Sequence, residues 1–256
     1  MMLKSGDASA LDRRGAISML GSVMAVGVLG SCGGGEASSP SSSSSTSSSS
    51  GSTSSPASTN AQCVVTPALT EGPYFVDEML NRSDIRTDPA TGAARPGVPL
   101  DLTLALSQVG ASGCGPLAGA LVDMWHCDAL GVYSDVSAQR SVGQQFLRGY
   151  QISDAGGNVH FTTIYPGWYQ GRAVHIHFKV RTNPAGARGT EFTSQLFFDE
   201  ALTDHVHAQA PYSQKGRRDT PITADGIFRS GGTTLLVPLA ASGGGYAGRM
   251  YVGVTA

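Results

Sequence analysis

Short strand-like stretches alternate with glycine-rich turns from residue 61 to residue 256. This alternation limits the possible folds of the chain more than any other feature of the sequence. The stretch at 98–106 alternates apolar and polar residues, as a strand with one buried face does. By the same criteria we predict further strands at 117–126, 158–165, 173–180, 193–198, 226–228, 233–239 and 248–256, and a short helix within 199–212. Repeated short strands predict an all-β fold, an antiparallel β-sandwich.

A serine-rich tract separates this region from the start of the chain. Residues 36–60 are almost all Ser, with Thr and Pro, so they have no apolar surface whose burial could offset the entropy cost of ordering. We therefore predict a flexible tether at 36–60 and one folded domain at 61–256. The formal net charge of -2, and the lack of a Lys/Arg run interleaved with aromatic residues after the tether, argue against nucleic acid as a partner.

The first 35 residues read as an export signal. Arg13 and Arg14 precede an apolar run at 15–29 that is too short to span a bilayer comfortably and ends in small residues. The paired arginines resemble a twin-arginine signal, and the sequence LGSC at 29–32 resembles a lipoprotein processing site. We expect Cys32 to be lipidated and the protein to be periplasmic or at the cell surface, touching the membrane by its lipid anchor only. The alternative is ordinary cleavage that removes Cys32.

Export favours a disulfide among the three later cysteines, Cys63, Cys114 and Cys127. Cys114 and Cys127 flank the predicted strand at 117–126, which at about 3.3 Å per residue holds them too far apart to pair. The disulfide is therefore expected to include Cys63, with either of the other two as its partner.

Two histidines in the predicted strand at 173–180 form a candidate metal site. Side chains two residues apart in a strand share a face, so His175 and His177 point the same way and are placed to chelate one ion. A second pair with the same spacing, His205 and His207, lies in the predicted helix or a loop, where the rings would diverge. We predict that this second pair faces solvent.

Two tyrosines extend the candidate site. Pro166-Gly167 breaks the chain into a loop that can bring Tyr169 back over the histidines, and Tyr133 follows Gly131 in a predicted turn. A phenolate is a hard anionic oxygen donor, which suits trivalent iron better than zinc. The charge of Fe(III) would also lower the phenol pKa enough to deprotonate both tyrosines at neutral pH. Tyr165 is the alternative second phenolate.

Several spaced motifs together resemble the intradiol ring-cleavage dioxygenases, in particular their exported, single-domain, non-haem Fe(III) branch. The matching strings are TEGPYF (70–75), PLAGALVDMWHCDALGVYSDV (116–136), FLRGYQISDAGGNVHFTTIYPGWYQGRAVHIHFKV (146–180) and FTSQLFF (192–198). The resemblance covers roughly residues 63–230. It implies a β-sandwich whose long loops form an iron site, and an enzyme that opens a catechol between its two hydroxyl-bearing carbons.

The resemblance also implies a role for each matching residue. Four residues would bind Fe(III): Tyr133, Tyr169, His175 and His177. Tyr169 would in addition leave the metal and accept a substrate proton, and Arg172 would stabilise negative charge that develops on the substrate. Pro73, Tyr74 and Gln195 would join Arg172 in the substrate site. The connection from Tyr169 to His175 is shorter than in the cytoplasmic enzymes, so substrate preference does not carry over.

The partners implied are a small-molecule catechol and O2, the product is a muconate-type diacid, and no organic cofactor is needed. Two alternatives differ from this hypothesis. One is an exported zinc or copper β-sandwich metalloprotein that uses His175 and His177, and the other is a non-enzymatic binding module. Other single residues are interpreted as structural: Trp125 as core, and His126 and His160 as hydrogen-bonded polar residues.

Overall fold

Two β-sheets form the protein in a computed structural model that describes residues 63–111, 113–183 and 189–255. The strands are β1 (Pro99–Gly110), β2 (Gly113–Pro116), β3 (Leu121–Trp125), β4 (Arg148–Ile152), β5 (Asn158–Ile164), β6 (His175–Arg181), β7 (Glu191–Phe197), β8 (Leu239–Ser242) and β9 (Gly245–Val254). The α-helices are α1 (Glu200–His207) and α2 (Gly226–Gly231), and short 3-10 helices span Ser137–Gln139, Tyr212–Lys215, Ile222–Ala224 and Gly232–Leu235.

The first sheet has the order β2-β1-β9-β8, with β5 also paired to β1, and the second has the order β4-β3-β6-β7. β1 and β9 run parallel, and the other named strand pairs run antiparallel. The predicted all-β sandwich is confirmed, with this one parallel pairing added.

Alternating apolar side chains of the two sheets meet in one core. Leu100, Leu102 and Leu104 of β1 and Ile176 and Phe178 of β6 are all buried in the same cluster. Each such side chain contributes about 1.5–3 kcal/mol when it is fully buried. The opposite face of β6 is also buried, because loops cover it, and this second buried face carries the two histidines.

Several predicted elements are corrected by the structure. Residues 226–228 begin helix α2, because Asp225 caps the helix by accepting hydrogen bonds from the Ile227 and Phe228 amides. Most of the predicted strand at 233–239 is a 3-10 helix and a connection, and β8 begins only at Leu239. The strand predicted from 117 begins at Leu121, after a turn in which Gly119 has φ +74°. Strands β2 and β4 were not predicted.

The N-terminal described segment runs across both sheets. Cys63 forms a disulfide with Cys114, which confirms that the pair includes Cys63, and Cys127 is free and buried. The Thr66 amide donates to the Gly253 carbonyl, and the Leu69 amide donates to the Thr193 carbonyl. The predicted export signal, the tether at 36–60 and Cys32 lie outside the described residues. Within the described ranges, no helix is long and apolar enough to cross a membrane.

Candidate metal centre

Two buried imidazoles on β6 form the base of the site. The Nδ1 atom of His175 lies 2.6 Å from the Ala173 carbonyl oxygen. Because a carbonyl only accepts, this nitrogen carries the proton and Nε2 keeps its lone pair. The Nε2 atoms of His175 and His177 are 3.0 Å apart. This separation suits two nitrogens that bind the same metal ion, each at about 2 Å from it.

Both imidazoles are held in the neutral form that binds metals. Burial, with the nearby Arg172 charge, lowers the pKa of His175 to about 3. Burial and the neighbouring His175 lower the pKa of His177 well below its usual value. Trp125, on the adjacent strand β3, stacks on His177 with ring centroids 4.9 Å apart and planes 6° from parallel. Trp125 is a core residue, as predicted, and it also supports the candidate ligand His177.

The loop after β3 brings Tyr133 to the imidazoles. Asp128 shapes this loop, because its carboxylate accepts hydrogen bonds from the Leu130 and Val132 amides. Gly131 has φ +81°, and a Cβ there would collide with the Trp168 carbonyl oxygen. The Tyr133 side chain is fully buried, and its hydroxyl has no hydrogen-bond partner of standard geometry among the described residues.

Tyr169 completes a group of four possible donors. Its hydroxyl lies 3.1 Å from His175 Nε2, and its ring centroid lies 5.6 Å from that of Tyr133. Tyr165, the alternative second phenolate, does not join them. Its hydroxyl is bonded to Thr203 Oγ1 at 2.7 Å, and its side chain is part of the main core.

Burial keeps both phenols protonated unless a cation is near. It raises the pKa of Tyr169 to about 12. It also raises the pKa of Tyr133 well above its usual value, and the adjacent Tyr169 adds to that rise. A trivalent ion would reverse this preference, because it attracts both phenolate oxygens strongly.

Arg172 is fixed beside these donors from three directions. Its Nε donates to Asp225 at 2.8 Å and its NH2 donates to Gln195 Oε1 at 2.6 Å. Its NH1 lies 3.4 Å from the Tyr169 hydroxyl. Gln195 is itself held by a hydrogen bond from its side-chain amide to the Thr70 carbonyl at 2.8 Å. The guanidinium therefore faces the phenol with little freedom to move.

A protein family described as Dioxygenase matches residues 70–218, a segment that contains the Tyr133, Tyr169, His175 and His177 group. The chain belongs to the intradiol dioxygenase family. The solved intradiol ring-cleavage dioxygenase of Tetranychus urticae is similar to this chain at 30% identity with a TM-score of 0.66, covering 75% of this chain and 95% of that chain.

Two further relatives show how much of each known protein the chain matches. The dioxygenase domain of a carbohydrate-binding fusion protein from Streptomyces sp. SirexAA-E is 27% identical with a TM-score of 0.54, and covers 75% of this chain and 99% of that domain. Catechol 1,2-dioxygenase 1 of Acinetobacter lwoffii is 27% identical over 150 residues, 50% of this chain and 45% of that enzyme. The chain thus spans less than half the length of the curated relatives it matches.

Two of the residues predicted to bind substrate, Pro73 and Tyr74, lie in one loop beside the candidate phenols. The Tyr74 ring lies 4.7 Å from the Tyr133 ring and 5.8 Å from the Tyr169 ring, measured between centroids. Pro73 is exposed in the same loop. Lys179 anchors the loop, because it pairs with Glu71 and its ammonium lies 4.1 Å from the Phe75 ring centroid.

Sequence reasoning missed Asp225, which links helix α2 to the site. Burial alone would raise its pKa, but hydrogen bonds from the Phe228 and Ala173 amides and from Arg172 outweigh burial and lower it. The carboxylate is therefore ionised and balances the Arg172 charge. An Asp before Gly-Ile-Phe is a recognisable helix-cap signal, and it was available in the sequence.

The remaining histidines have structural surroundings. His126 is buried between the Cys127 carbonyl and the Thr163 hydroxyl, and His160 is exposed near Asp101. The prediction that the 205–207 pair faces solvent is wrong for His207. Its Nε2 is bonded to the Pro166 carbonyl at 3.0 Å, because α1 packs against that loop, and its ring stacks on Tyr212.

The four donors fit the non-haem iron that this family uses. Two neutral imidazoles and two phenols converge, and the Tyr133 hydroxyl has no hydrogen-bond partner of standard geometry in the part of the chain that the structure describes. Within the described ranges, no group of three or more His, Cys, Asp and Glu side chains is placed to hold a metal ion. The donors that accompany the imidazoles are phenols, which favour ferric iron over zinc.

Proposed function

We propose that this protein holds a ferric ion between Tyr133, Tyr169, His175 and His177 and is an intradiol dioxygenase of a catechol-type substrate. Both atoms of O2 would enter the substrate, and the ring would open to a muconate-type diacid. The bound ferric ion would supply the Lewis acidity that makes the catechol ring reactive toward O2. The observation that carries the proposal is the convergence of two phenols, one buried and one partly buried, on two neutral imidazoles.

Tyr169 is the residue suited to accept a substrate proton. Its hydroxyl lies 3.4 Å from Arg172 NH1, and its side chain is partly exposed, whereas Tyr133 is fully buried. A residue with an enclosed side chain is held in place, and one at the edge can move when substrate arrives. We therefore assign Tyr133 the role of a ligand that would stay bound throughout. Tyr169 would leave the metal and accept a proton from the substrate.

Arg172 is suited to stabilise negative charge on the substrate as it develops. Its guanidinium is permanently charged and is oriented by Asp225 and Gln195 before substrate arrives, so little reorganisation is needed. Tyr74, beside both candidate phenolate rings, would pack against the substrate ring, with Pro73 at the outer edge of the same loop.

The test is metal analysis of the purified protein, followed by oxygen consumption with catechol, hydroxyquinol and protocatechuate. The expected result is bound iron, O2 uptake with at least one of these substrates, and absorbance from a muconate-type product. A protein that binds zinc or copper in place of iron, and consumes no O2 with any of these substrates, would instead support the alternative metalloprotein.

We also propose that the protein is exported and anchored to the membrane by a lipid on Cys32. The support is the twin-arginine-like pair, the short apolar run and the Ser-rich tether in the sequence. The full chain, produced in a bacterium, should partition into a detergent phase, and Cys32→Ser should move it to the aqueous phase. Arg13→Lys together with Arg14→Lys should block export. Equal partition of the Cys32→Ser and parent proteins would rule out the anchor.

A further inference from the structure

A small cavity lies between the segment at 75–80 and strands β3 and β4. Its volume is about 10 Å³, and its lining includes Glu78, Trp125 and Arg148. Each of these three residues has a buried polar atom without a hydrogen-bond partner among the described residues: Glu78 Oε1, Trp125 Nε1 and Arg148 NH1. Three unsatisfied polar atoms on one cavity require a common explanation, because such groups are seldom left unpaired in proteins.

Arg148 is the most unusual of the three. It is 2% exposed and makes no ion pair with any carboxylate in the described ranges. Its Nε and NH2 instead donate to the carbonyl and hydroxyl oxygens of Ser134 at 2.7–3.2 Å. Burial lowers the pKa of Arg148 to about 10, so the group stays charged at neutral pH. A buried charge of this kind needs its remaining donors satisfied.

The position of Arg148 connects it to two candidate ligands. Ser134 directly follows Tyr133, so the guanidinium holds the residue next to that tyrosine in the chain. In the β3–β4 pairing Arg148 stands opposite Trp125, and in the β3–β6 pairing Trp125 stands opposite His177, on which its ring stacks. The third donor of Arg148, NH1, is the one left for the cavity.

The chemistry of the three atoms identifies what fills the cavity. Arg148 NH1 and Trp125 Nε1 can only donate, and an ionised Glu78 Oε1 can only accept. One water molecule accepts from both donors and donates to the carboxylate. A water needs two to four polar partners and a space of about 10–15 Å³. The cavity, at about 10 Å³, has room for one water, and three of its lining residues carry the unpaired polar atoms.

We propose that Arg148 is a positioning residue for the metal centre, which fixes Tyr133 through Ser134 and fixes the Trp125 ring against His177 through one internal water shared with Glu78. The expected effect on iron binding rests on the proposed function. The water and the Ser134 contacts do not, because they belong to the protein without metal. Groups that orient metal ligands in this way typically change metal affinity or activity by about 10–100-fold when they are replaced.

The first test is a high-resolution crystal structure of the iron-free protein. The expected result is one ordered water within hydrogen-bonding distance of Glu78 Oε1, Trp125 Nε1 and Arg148 NH1. Trp125→Phe keeps an aromatic ring on His177 but removes the donor, so the water should shift or disappear. A direct Arg148–Glu78 contact, with no electron density in the cavity, would overturn the proposal whether or not the protein is a dioxygenase.

The second test measures iron affinity by competition with a chelator, together with the visible band of the iron-loaded protein. Arg148→Met should weaken iron binding about 10–100-fold and shift the band, and Arg148→Lys should recover part of the loss. The matched control is Arg249→Met, which removes an exposed arginine from the other sheet and should change neither quantity. Unchanged affinity and band in Arg148→Met would contradict the proposal.

If Arg148→Met does not fold, Ser134→Ala decides the same question. It removes one acceptor of the guanidinium, leaves the carbonyl acceptor and keeps the charge. We expect a smaller shift of the visible band and a smaller loss of iron affinity, in the same direction. A parent protein that binds no iron would refute the proposed function, and the crystallographic test of the water would still stand.

Discussion

At the scale of single residues, the protein sets the protonation of each candidate ligand before any metal binds. The Ala173 carbonyl selects the His175 tautomer with a free Nε2, and burial keeps both imidazoles neutral. The same burial opposes ionisation of Tyr133 and Tyr169. The site is therefore ready to bind through nitrogen, and its oxygen donors become anionic only beside a strong cation.

Tyr169→Phe should remove a ligand and the proposed proton acceptor together. We expect the catechol-dependent rate of O2 uptake to fall by about 10²–10⁴-fold, the usual contribution of a positioned acid or base. Tyr165→Phe is the matched control, because it deletes a buried hydroxyl only four residues away that contacts Thr203. Equal rates for Tyr169→Phe and the parent enzyme would remove Tyr169 from the mechanism.

His126 should make stability depend on pH. Burial lowers its pKa from 6.5 to about 4, so between these values the unfolded chain binds more protons than the folded one. The free energy of unfolding therefore falls as pH falls through that window, by about 3 kcal/mol in total from this group. Urea unfolding of the iron-free protein at pH 7 and pH 4 measures the loss.

The comparison that isolates His126 is His126→Gln, which keeps a polar side chain between the Cys127 carbonyl and Thr163. The difference in unfolding free energy between the two pH values should be smaller in this variant. A variant as pH-sensitive as the parent protein would mean that other groups account for the whole effect.

At the scale of elements, two loops bring the phenols together by backbone contact. The loop that carries Tyr133 and the loop that carries Tyr169 touch where a Cβ on Gly167 would collide with the Asp128 and Ala129 carbonyl oxygens. The Gly167 amide also donates to the Asp128 carbonyl at 3.1 Å. Glycine at this position therefore fixes how closely the two phenols approach.

Gly167→Ala should force these two loops apart. We expect the free energy of unfolding to fall by about 1–3 kcal/mol, as overpacking in a tight interior costs, and iron affinity to fall with it. Gly115→Ala is the control, because a Cβ there meets nothing within 4 Å. Chemical denaturation and chelator competition check both quantities, and an unaffected Gly167→Ala protein would show that the loops are not held by this contact.

Strands were predicted correctly where the alternation of apolar and polar residues is visible within the strand itself. They were missed where contacts with other segments determine the secondary structure. The alternating leucines of β1 and the His-Ile-His-Phe run of β6 are legible in the sequence. Strand β4 is not, because it begins with Arg148 and Gly149, which are buried but break the apolar alternation. Residues 226–228 look like a strand by composition, and the Asp225 cap makes them helical.

At the scale of the whole molecule, the N-terminal described segment connects the sandwich to the site. It is tied to β2 by the Cys63–Cys114 disulfide, to β9 at Thr66 and to β7 at Leu69. It then leads into the loop at 70–75 that carries Tyr74 over the phenols. The position of the loop at 70–75 thus depends on contacts that begin at the first sheet.

Loss of the disulfide should destabilise the whole domain. Closing a loop of 51 residues by a disulfide stabilises a protein by about 2–4 kcal/mol in typical cases. Cys63→Ser with Cys114→Ser should lower the free energy of urea unfolding by that amount. Adding a reductant should lower the stability of the parent protein similarly. Cys127→Ala should keep the same response to reductant, and a parent protein insensitive to reductant would contradict the prediction.

The four candidate ligands could be found from the sequence because each lies in a short motif. The network that orients them could not, because it is assembled from distant segments. Asp225, Lys179 and Arg148 reach the site only through helix α2, the loop at 70–75 and strand β4. A buried arginine and an exposed one look alike in a sequence, and only packing separates them.

The decisive measurement for the proposed ferric site is a visible absorption spectrum of the protein. It is recorded while Fe(III) is titrated in and the bound iron is quantified. We predict one iron per chain and a red-brown band from phenolate-to-iron charge transfer, weakened in Tyr133→Phe and again in Tyr169→Phe. Bound iron without such a band, or a band that neither replacement changes, would contradict the account.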